Sequence, residues 1–162
     1  MIKFFDLYKQ DKLYHNKIIS KIRNILVKTN YILGDDVQIF ENNFAKFVGA
    51  KFAIGCGNGT DALTIALKSL NLPKNSEVII PAMTYCSTAF SVINCGLKPV
   101  LVDVAKNMSC IDVDKIEKKI TKNTKVIMPV HLYGSVADLR SIKKIIKKYK
   151  RKIYLIDDCS QA

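Results

Sequence analysis

The sequence predicts an α/β fold in three layers, in which a mostly parallel β-sheet carries helices on both faces. Two features lead to this prediction. From residue 52 onward, short and continuously apolar runs alternate with helix-like segments, which is typical of parallel strands buried between helical layers. The chain has 162 residues, and 49% of them are hydrophobic, which is enough for one domain with a sizeable core.

Two helices are predicted before the alternation begins. Residues 13–28 have the amphipathic pattern of a helix, with an inward stripe of three isoleucines, Ile18, Ile22 and Ile25. A second helix is predicted from Asp35, and residues 31–34 form a short extended piece between the two. We therefore divide the chain into an N-terminal helical segment, residues 1–30, and a domain portion, residues 31–162.

The alternation predicts five strands and four helices. The strands are expected at 52–56, 77–81, 99–104, 125–130 and 152–157. The helices are expected at 59–70, 87–95, 112–120 and 138–150. The pattern stops just after a strand, without the helix that should cover it, so we expect these residues to be part of a larger fold.

Charge and hydropathy limit the classes of protein to which this chain can belong. The net charge is +12, and its densest stretch, residues 143–152, has apolar residues on one helical stripe and lysines on the other, as on a solvated helix face. Nucleic-acid binding is disfavoured because aromatic and arginine residues are not interleaved there, while a mild attraction for an anionic substrate stays open. No run of about 18 apolar residues predicts a membrane span, and the N-terminus lacks a signal-peptide core, so we expect a cytoplasmic protein.

The cysteines show none of the spacings that bind metals. There are five, an odd number, and no CxxC or CxxH pair occurs among Cys56, Cys86, Cys95, Cys110 and Cys159. A cytoplasmic compartment keeps thiols reduced. We therefore expect reduced, mostly buried thiols, with no disulfide and no metal site.

A glycine-rich turn joins the first predicted strand to the helix that follows it. In GCGNGTDAL, residues 55–63, three glycines let the backbone bend sharply and approach a ligand. Asn58, Gly59 and Thr60 lie where free peptide N–H groups leave the helix start, and the helix dipole adds partial positive charge. The turn therefore predicts a phosphate site, and the alternative is a plain tight turn capped by Asn58 or Thr60.

Other phosphate-binding motifs fit this turn less well. Thr60 occupies the place of the third glycine in a GxGxxG fingerprint. The acidic residue of that fingerprint should end the next strand, but this strand ends in Ile80 and Pro81, and Glu77 stands at its beginning. A Walker loop is excluded because no Gly-Lys-Ser/Thr follows the turn. A nicotinamide-binding domain is therefore disfavoured.

Four segments of the chain occur in the order and spacing of one known family. They are YILGDDVQIFENNFAKFVGAKFAIGCGNGTDAL, EVIIPAMTYCSTAFSVINCGLKPVLVDV, TKVIMPVHLYGSVADL and YLIDDCSQA. From about residue 30 the chain resembles the sugar aminotransferases of the DegT/DnrJ/EryC1/StrS family. The resemblance implies part of the large domain of the aspartate aminotransferase fold (fold type I) and pyridoxal 5'-phosphate (PLP) as the cofactor.

The resemblance also implies a cofactor site. Six residues match it: Asn58, Gly59, Thr60, Tyr85, Asp158 and Gln161. The first three match the turn that binds the cofactor phosphate, and the tyrosine matches the aromatic ring that stacks on the pyridine. The aspartate matches the residue that keeps the ring nitrogen protonated, so that the ring can accept electrons, and the glutamine matches a contact to the 3-oxygen.

The same resemblance also suggests what the residues next to the cofactor site do. His131 and Tyr133, in PVHLYG, match residues on the substrate side. Asp157 should point away from the cofactor because side chains alternate along a strand. The Cys159-Ser160 pair stands where the family commonly has two alanines, and packing should tolerate these small residues.

The resemblance implies a function for a longer protein. The intact enzyme would be a homodimer that transfers an amino group, from glutamate, to a nucleotide-linked keto sugar in amino-sugar or cell-surface polysaccharide biosynthesis. The family's Schiff-base lysine lies downstream of YLIDDCSQA and no lysine here matches it, so we expect these residues alone to be inactive and poorly stable. Two alternatives stay open: a non-catalytic gene remnant, and a PLP-dependent sugar dehydratase of the same family with histidine in place of that lysine.

Overall fold

The computed structural model describes residues 4–106 and 108–162, and the chain falls into two compact units, Met1–Gly55 and Cys56–Ala162. The described part of the first unit is helical, and the second unit contains the β-sheet. The domain division predicted at residue 30 concerns the whole protein and stays a prediction. No helix among the described residues is long and apolar enough to cross a membrane.

The described part of the first unit consists of three helices, α1 (Leu7–Asp11), α2 (His15–Lys28) and α3 (Asp35–Val48). The two predicted helices are confirmed, and each is followed by a residue in the left-handed conformation, Thr29 or Gly49, which ends a helix. Residues 31–34 form bends and no strand. The inward stripe predicted for α2 is wrong at two of its three residues, because Ile18 and Ile22 are each about half exposed, whereas Ile25 is half-buried.

The second unit is built on a parallel sheet of four strands. These are β1 (Glu77–Pro81), β2 (Lys98–Val102), β3 (Thr124–Ile127) and β4 (Tyr154–Leu155). Four helices alternate with the strands, α4 (Gly59–Ser69), α5 (Ser87–Asn94), α6 (Val113–Lys119) and α7 (Leu139–Lys147). The predicted alternation from residue 59 onward and the parallel sheet are therefore confirmed.

Helices cover both faces of this sheet. In β1, Val78 and Ile80 belong to a core cluster with residues of α4 and α5, whereas Ile79 belongs to a second cluster with residues of α6 and α7. Successive side chains of a strand point to opposite faces, so a strand that is apolar throughout can serve two cores. The three-layer arrangement is the one that the sequence predicts.

The strand predicted at 52–56 is wrong. The described residues form no strand there, and the side chains of Phe52 and Ile54 are largely exposed. A strand exists through hydrogen bonds to a neighbouring strand, and an apolar run does not reveal whether that neighbour is present. The predicted end of the strand at 125–130 is also wrong, because β3 ends at Ile127. Pro129 follows shortly after and has no N–H to donate to the hydrogen-bond ladder.

The order of the strands, β2-β1-β3-β4, creates a crevice. From β1 the chain moves to β2 on one side, and then crosses back to β3 on the other side of β1. The connections that follow β1 and β3 therefore diverge at the carboxyl ends of these two strands, where α/β proteins bind ligands. A parallel bridge between Val130 and Asp158 brings the residues after β4 to the same edge.

The cysteines are free thiols, but the expectation that most of them are buried is wrong. Cys110 is buried and Cys95 is half-buried, whereas Cys56, Cys86 and Cys159 are exposed. The three exposed cysteines lie in the glycine turn, just before α5 and just after β4. These are connecting segments, which run along the surface so that their backbone groups can reach water.

Candidate functional site

A cavity of about 300 Å³ lies at the crevice between the carboxyl ends of the strands. Its walls are the start of α4, the segment between β1 and α5, and the residues that follow β3 and β4. Six of the lining residues are the ones predicted for a cofactor site, Asn58, Gly59, Thr60, Tyr85, Asp158 and Gln161. Three segments that lie far apart in the sequence thus meet around one space.

The start of α4 forms the first wall and presents two peptide N–H groups. Asn58 is the N-cap, in an extended conformation, and its side-chain oxygen accepts the N–H of Asp61 at 2.9 Å. The Asn58 amide nitrogen donates to the Asp61 carboxylate, also at 2.9 Å. The N–H groups of Gly59 and Thr60 have no acceptor among the described residues. Asn58 is thus the helix cap, and the two free N–H groups suit an anion.

Hydroxyl groups link the first wall to the second. Thr60 Oγ1 donates to Ser87 Oγ at 2.7 Å, which ties the start of α4 to the start of α5. Thr84 and Thr88 form a second hydroxyl pair at 2.8 Å. Ser87, Thr84 and Thr88 line the cavity but were not predicted, because isolated serine and threonine residues carry little signal without the contacts that bring them together.

Asp158 lines the cavity and is only 6% exposed. Its Oδ1 accepts two hydrogen bonds from Ser160, from the peptide N–H at 3.1 Å and from Oγ at 2.6 Å. No donor to Oδ2 occurs among residues 4–106 and 108–162. One carboxylate oxygen thus remains for a ligand, and a buried carboxylate favours a positively charged or N–H-bearing partner.

Tyr85 and Gln161 are exposed residues of the cavity lining. The Tyr85 side chain is 69% exposed, so its ring face is open to a flat ligand. Gln161 Oε1 accepts the peptide N–H of Tyr133 at 3.1 Å. Because this bond engages the amide oxygen, the amide nitrogen is left to donate to an acceptor such as a phenolic oxygen.

His131 and Tyr133 are not among the residues that line the cavity. His131 is 3% exposed, and its Nδ1 accepts the peptide N–H of Ala137 at 3.0 Å. Its proton therefore lies on Nε2, which donates to Asp157 Oδ1 at 2.8 Å. Tyr133 is exposed and has a left-handed backbone, with φ of 54°. In this structure His131 joins the ends of β3 and β4, and Tyr133 orients Gln161 through its peptide N–H.

His131, Asp157 and Cys159 present possible metal ligands within 4.8 Å of one another, but their hydrogen bonds do not suit a metal. A metal at His131 Nε2 would displace the proton that this nitrogen donates to Asp157. Since Nδ1 accepts the Ala137 N–H, it could not take up that proton without breaking its own hydrogen bond. The cluster therefore fits a structural hydrogen-bonded pair beside a thiol.

The donors around the cavity do fit PLP. The free N–H groups at the start of α4 match a phosphate, and the free oxygen of Asp158 matches a protonated ring nitrogen. Tyr85 lines the same cavity and offers a ring face, which a planar cofactor needs. Fold and cavity together define a PLP-binding domain portion of the fold type I transferases.

Comparisons with known proteins identify the family. Residues 13–162 match the model of the DegT/DnrJ/EryC1/StrS aminotransferase family, and the chain belongs to this family. It is 43% identical over 162 residues to the dTDP-3-amino-3,6-dideoxy-alpha-D-galactopyranose transaminase of Aneurinibacillus thermoaerophilus, and 43% identical to the UDP-2-acetamido-2-deoxy-3-oxo-D-glucuronate aminotransferase of Pseudomonas aeruginosa. The whole chain aligns with both, but it spans only 44% and 45% of their lengths.

Solved structures share the fold. The whole chain matches 45% of a DegT/DnrJ/EryC1/StrS aminotransferase from Brucella abortus, with a TM-score of 0.91 and 30% identity. It matches NtdA from Bacillus subtilis, which has the cofactor PMP bound, with a TM-score of 0.87 and 33% identity over 98% of this chain and 37% of that one. Escherichia coli GDP-4-keto-6-deoxy-D-mannose-3-dehydratase, with hydrated PLP bound, gives 0.81 and 29% identity over 87% of this chain and 37% of that one. PLP, or its amino form PMP, is the cofactor of the family.

Proposed function

We propose that the chain is the N-terminal part of a PLP-dependent enzyme that transfers an amino group from glutamate to a keto sugar carried by a nucleotide diphosphate. The observation that carries this proposal is the single cavity that collects the phosphate, ring-face and ring-nitrogen groups of three separate motifs. Relatives named for dTDP- and UDP-linked sugars support a nucleotide-linked substrate. The product would enter amino-sugar or cell-surface polysaccharide biosynthesis.

Each wall of the cavity has its own task in this proposal. The N–H groups of Gly59 and Thr60 donate to the cofactor phosphate, and Tyr85 lies against the ring. The free oxygen of Asp158 binds the ring N–H and holds the proton on that nitrogen, while the Gln161 amide donates to the 3-oxygen. When bound, PLP supplies an electron-accepting ring for the amino-group transfer.

The lysine that holds the cofactor covalently is proposed to lie outside these 162 residues. No lysine lines the cavity within residues 4–106 and 108–162. Amino-group transfer needs an amine that also shuttles a proton, so we expect the 162 residues alone to bind the cofactor without turnover. A homodimer of the whole protein, and sugar contacts from His131 and Tyr133, remain part of the proposal.

A sugar dehydratase is the second candidate, favoured by the similarity to the Escherichia coli 3-dehydratase. The cavity walls would serve either reaction, because both use the same cofactor. The discriminating position is the downstream lysine, which such dehydratases replace with histidine. Reading the gene beyond the Ala162 codon separates the candidates: a lysine supports the aminotransferase, a histidine the dehydratase, and an immediate stop codon a non-catalytic remnant.

The role of Asp158 provides the direct test. In the protein in the longest form that its gene encodes, Asp158→Asn keeps the shape of the side chain but removes its charge. We expect PLP to remain bound and the release of 2-oxoglutarate from glutamate to fall by about 100-fold or more, because the ring nitrogen loses the group that keeps it protonated. The measurement is 2-oxoglutarate formation with a nucleotide-linked keto sugar.

Asp157→Asn is the matched control. It changes the neighbouring carboxylate in the same way, and the asparagine oxygen can still accept the His131 Nε2 proton. Turnover should stay within about threefold of the unchanged protein, a difference of less than about 1 kcal/mol in barrier height. Near-normal turnover of Asp158→Asn, or equal losses in both variants, would contradict the assigned role of Asp158.

A further inference from the structure

Ser160 holds one oxygen of Asp158 with two donors. Its peptide N–H and its Oγ lie 3.1 and 2.6 Å from Asp158 Oδ1. The shorter distance is that of a charge-assisted O–H···O⁻ hydrogen bond, the stronger kind. Asp158 is buried, whereas Ser160 is exposed, so the acceptor of this bond is shielded from water more than its donor.

The main chain of Asp158 is fixed independently of Ser160. The Asp158 N–H donates to the Pro129 carbonyl at 3.1 Å, and the Asp158 carbonyl accepts the His131 N–H at 3.0 Å. With the backbone held on both sides, the remaining freedom is rotation of the side chain. The Ser160 hydroxyl and peptide N–H both hold Oδ1 against that rotation, which leaves Oδ2 for a ligand.

The same hydroxyl lies beside the phosphate-binding turn. Ser160 Oγ is 3.6 Å from the position that a Cβ on Gly59 would take, and both residues line the cavity. Ser160 Oγ thus binds Asp158 and lies on the side of Gly59 that a larger side chain would occupy. From the sequence, a serine in place of the family's alanine is expected to affect packing only. In the structure, this serine donates hydrogen bonds to the Asp158 carboxylate, which lines the cavity.

We propose that Ser160 is a positioning residue that orients the free oxygen of Asp158 toward the ring nitrogen of the cofactor. This inference rests on the proposed function, because it assumes that the cavity binds PLP or PMP. The hydroxyl acts through Asp158 and touches no reacting atom. Its effect should therefore appear with ligands that have a ring nitrogen, and should be absent with ligands that lack one.

The experiment measures PMP binding by calorimetry to the protein in the longest form that its gene encodes. PMP is chosen because it binds without a covalent bond to a lysine. Ser160→Ala should weaken PMP binding about tenfold, as expected when a hydrogen bond to a charged group is lost. Ser160→Thr keeps a hydroxyl and should restore the affinity to within about threefold. The 1-deaza analogue of PMP, with C–H in place of the ring nitrogen, should bind the unchanged protein and Ser160→Ala equally.

Ser141→Ala is the matched control for a merely structural effect. The Ser141 N–H and Oγ donate to Asp138 at 3.0 and 2.7 Å, the same donor pair on one carboxylate, and neither residue lines the cavity. This variant should leave PMP affinity unchanged.

Three outcomes would overturn the proposal, and they separate it from the proposed function. Equal losses of affinity for PMP and for the 1-deaza analogue in Ser160→Ala would make Ser160 a structural residue only. Unchanged PMP affinity in Ser160→Ala, with PMP binding that still depends on Asp158, would overturn the positioning role alone. Absence of PMP binding to the unchanged protein would overturn the proposed function and this inference with it.

Discussion

Cys159 lies just after β4, next to two carboxylates, and this position keeps its thiol protonated. Partial burial raises the pKa of the Cys159 thiol above its ordinary value, and the negative charges of Asp157 and Asp158 and a hydrogen bond with Asp157 raise it further. A raised thiol pKa means that the neutral form persists to higher pH. Since the thiolate is the nucleophile, Cys159 should react slowly although it is exposed.

Alkylation measures this pKa shift. At pH 8, iodoacetamide should modify Cys159 more slowly in the folded protein than in urea, where the thiol has its ordinary pKa, as followed by mass spectrometry of the Cys159 peptide. Asp157→Asn removes one negative charge, lowers the pKa and should speed the reaction in the folded state. A Cys159 thiol that reacts equally fast folded and unfolded would contradict the assigned environment.

At the scale of single residues, the motifs predicted which residues would lie together, but not the hydrogen bonds that they form. The positions of Gly59, Thr60 and Asp158 relative to their strands and helices were enough to bring them to one cavity. The bond from Ser160 to Asp158 could not be predicted, because it depends on a side-chain rotation that no spacing encodes. The two partners of His131 also come from the tertiary fold, from Ala137 and Asp157.

At the scale of elements, the sequence predicted the helices, which depend on local patterns of residues. It failed for one strand, because a strand depends on pairing with another strand. The helices α4 to α7 fall within the predicted segments because their stripes of apolar residues, and the capping side chains of α4, α6 and α7, are local features. The strand expected at 52–56 has the same apolar character as β1, but β1 has a strand on each side, whereas residues 52–56 pair with no strand among the described residues. Whether an apolar run becomes a strand depends on partners far away in the chain.

The start of α4 offers a test at this scale. Asn58→Ala removes the oxygen that accepts the Asp61 N–H, and should lower the free energy of unfolding by about 1 kcal/mol, as measured by urea denaturation. Asn58→Ser restores a capping oxygen and should recover most of that loss. Asn94→Ala, near the end of α5 and without a capping role, is the control. Equal stability of Asn58→Ala and the unchanged protein would show that the cap contributes nothing.

At the scale of the whole molecule, charge is distributed unevenly along the chain. Residues 113–152 contain thirteen lysine and arginine residues and three acidic ones, so they carry +10 of the net charge of +12. Residues 59–112 contain four lysines and four acidic residues and are neutral. Seven of the thirteen basic residues lie on α6 and α7, whose inner sides bury Ile116, Ile142 and Ile145, and the other six lie in β3 and in the segments that follow the two helices. For residues 143–152 the sequence predicted a solvated lysine face, because the helical stripe alone determines it.

Such an excess of like charge should oppose folding at low ionic strength. Lys143 and Lys147 are exposed and lie four residues apart on α7, where like charges repel. The screening length falls from about 30 Å at 0.01 M salt to about 10 Å at 0.1 M, so added NaCl should raise the unfolding temperature, by about 2 °C over this range.

The double variant Lys143→Gln and Lys147→Gln should be more stable than the unchanged protein at low salt, and its unfolding temperature should respond less to salt. The same change at Lys68 and Lys74, in the neutral stretch, should leave the salt response intact, and equal responses in both variants would refute repulsion along α7 as its cause.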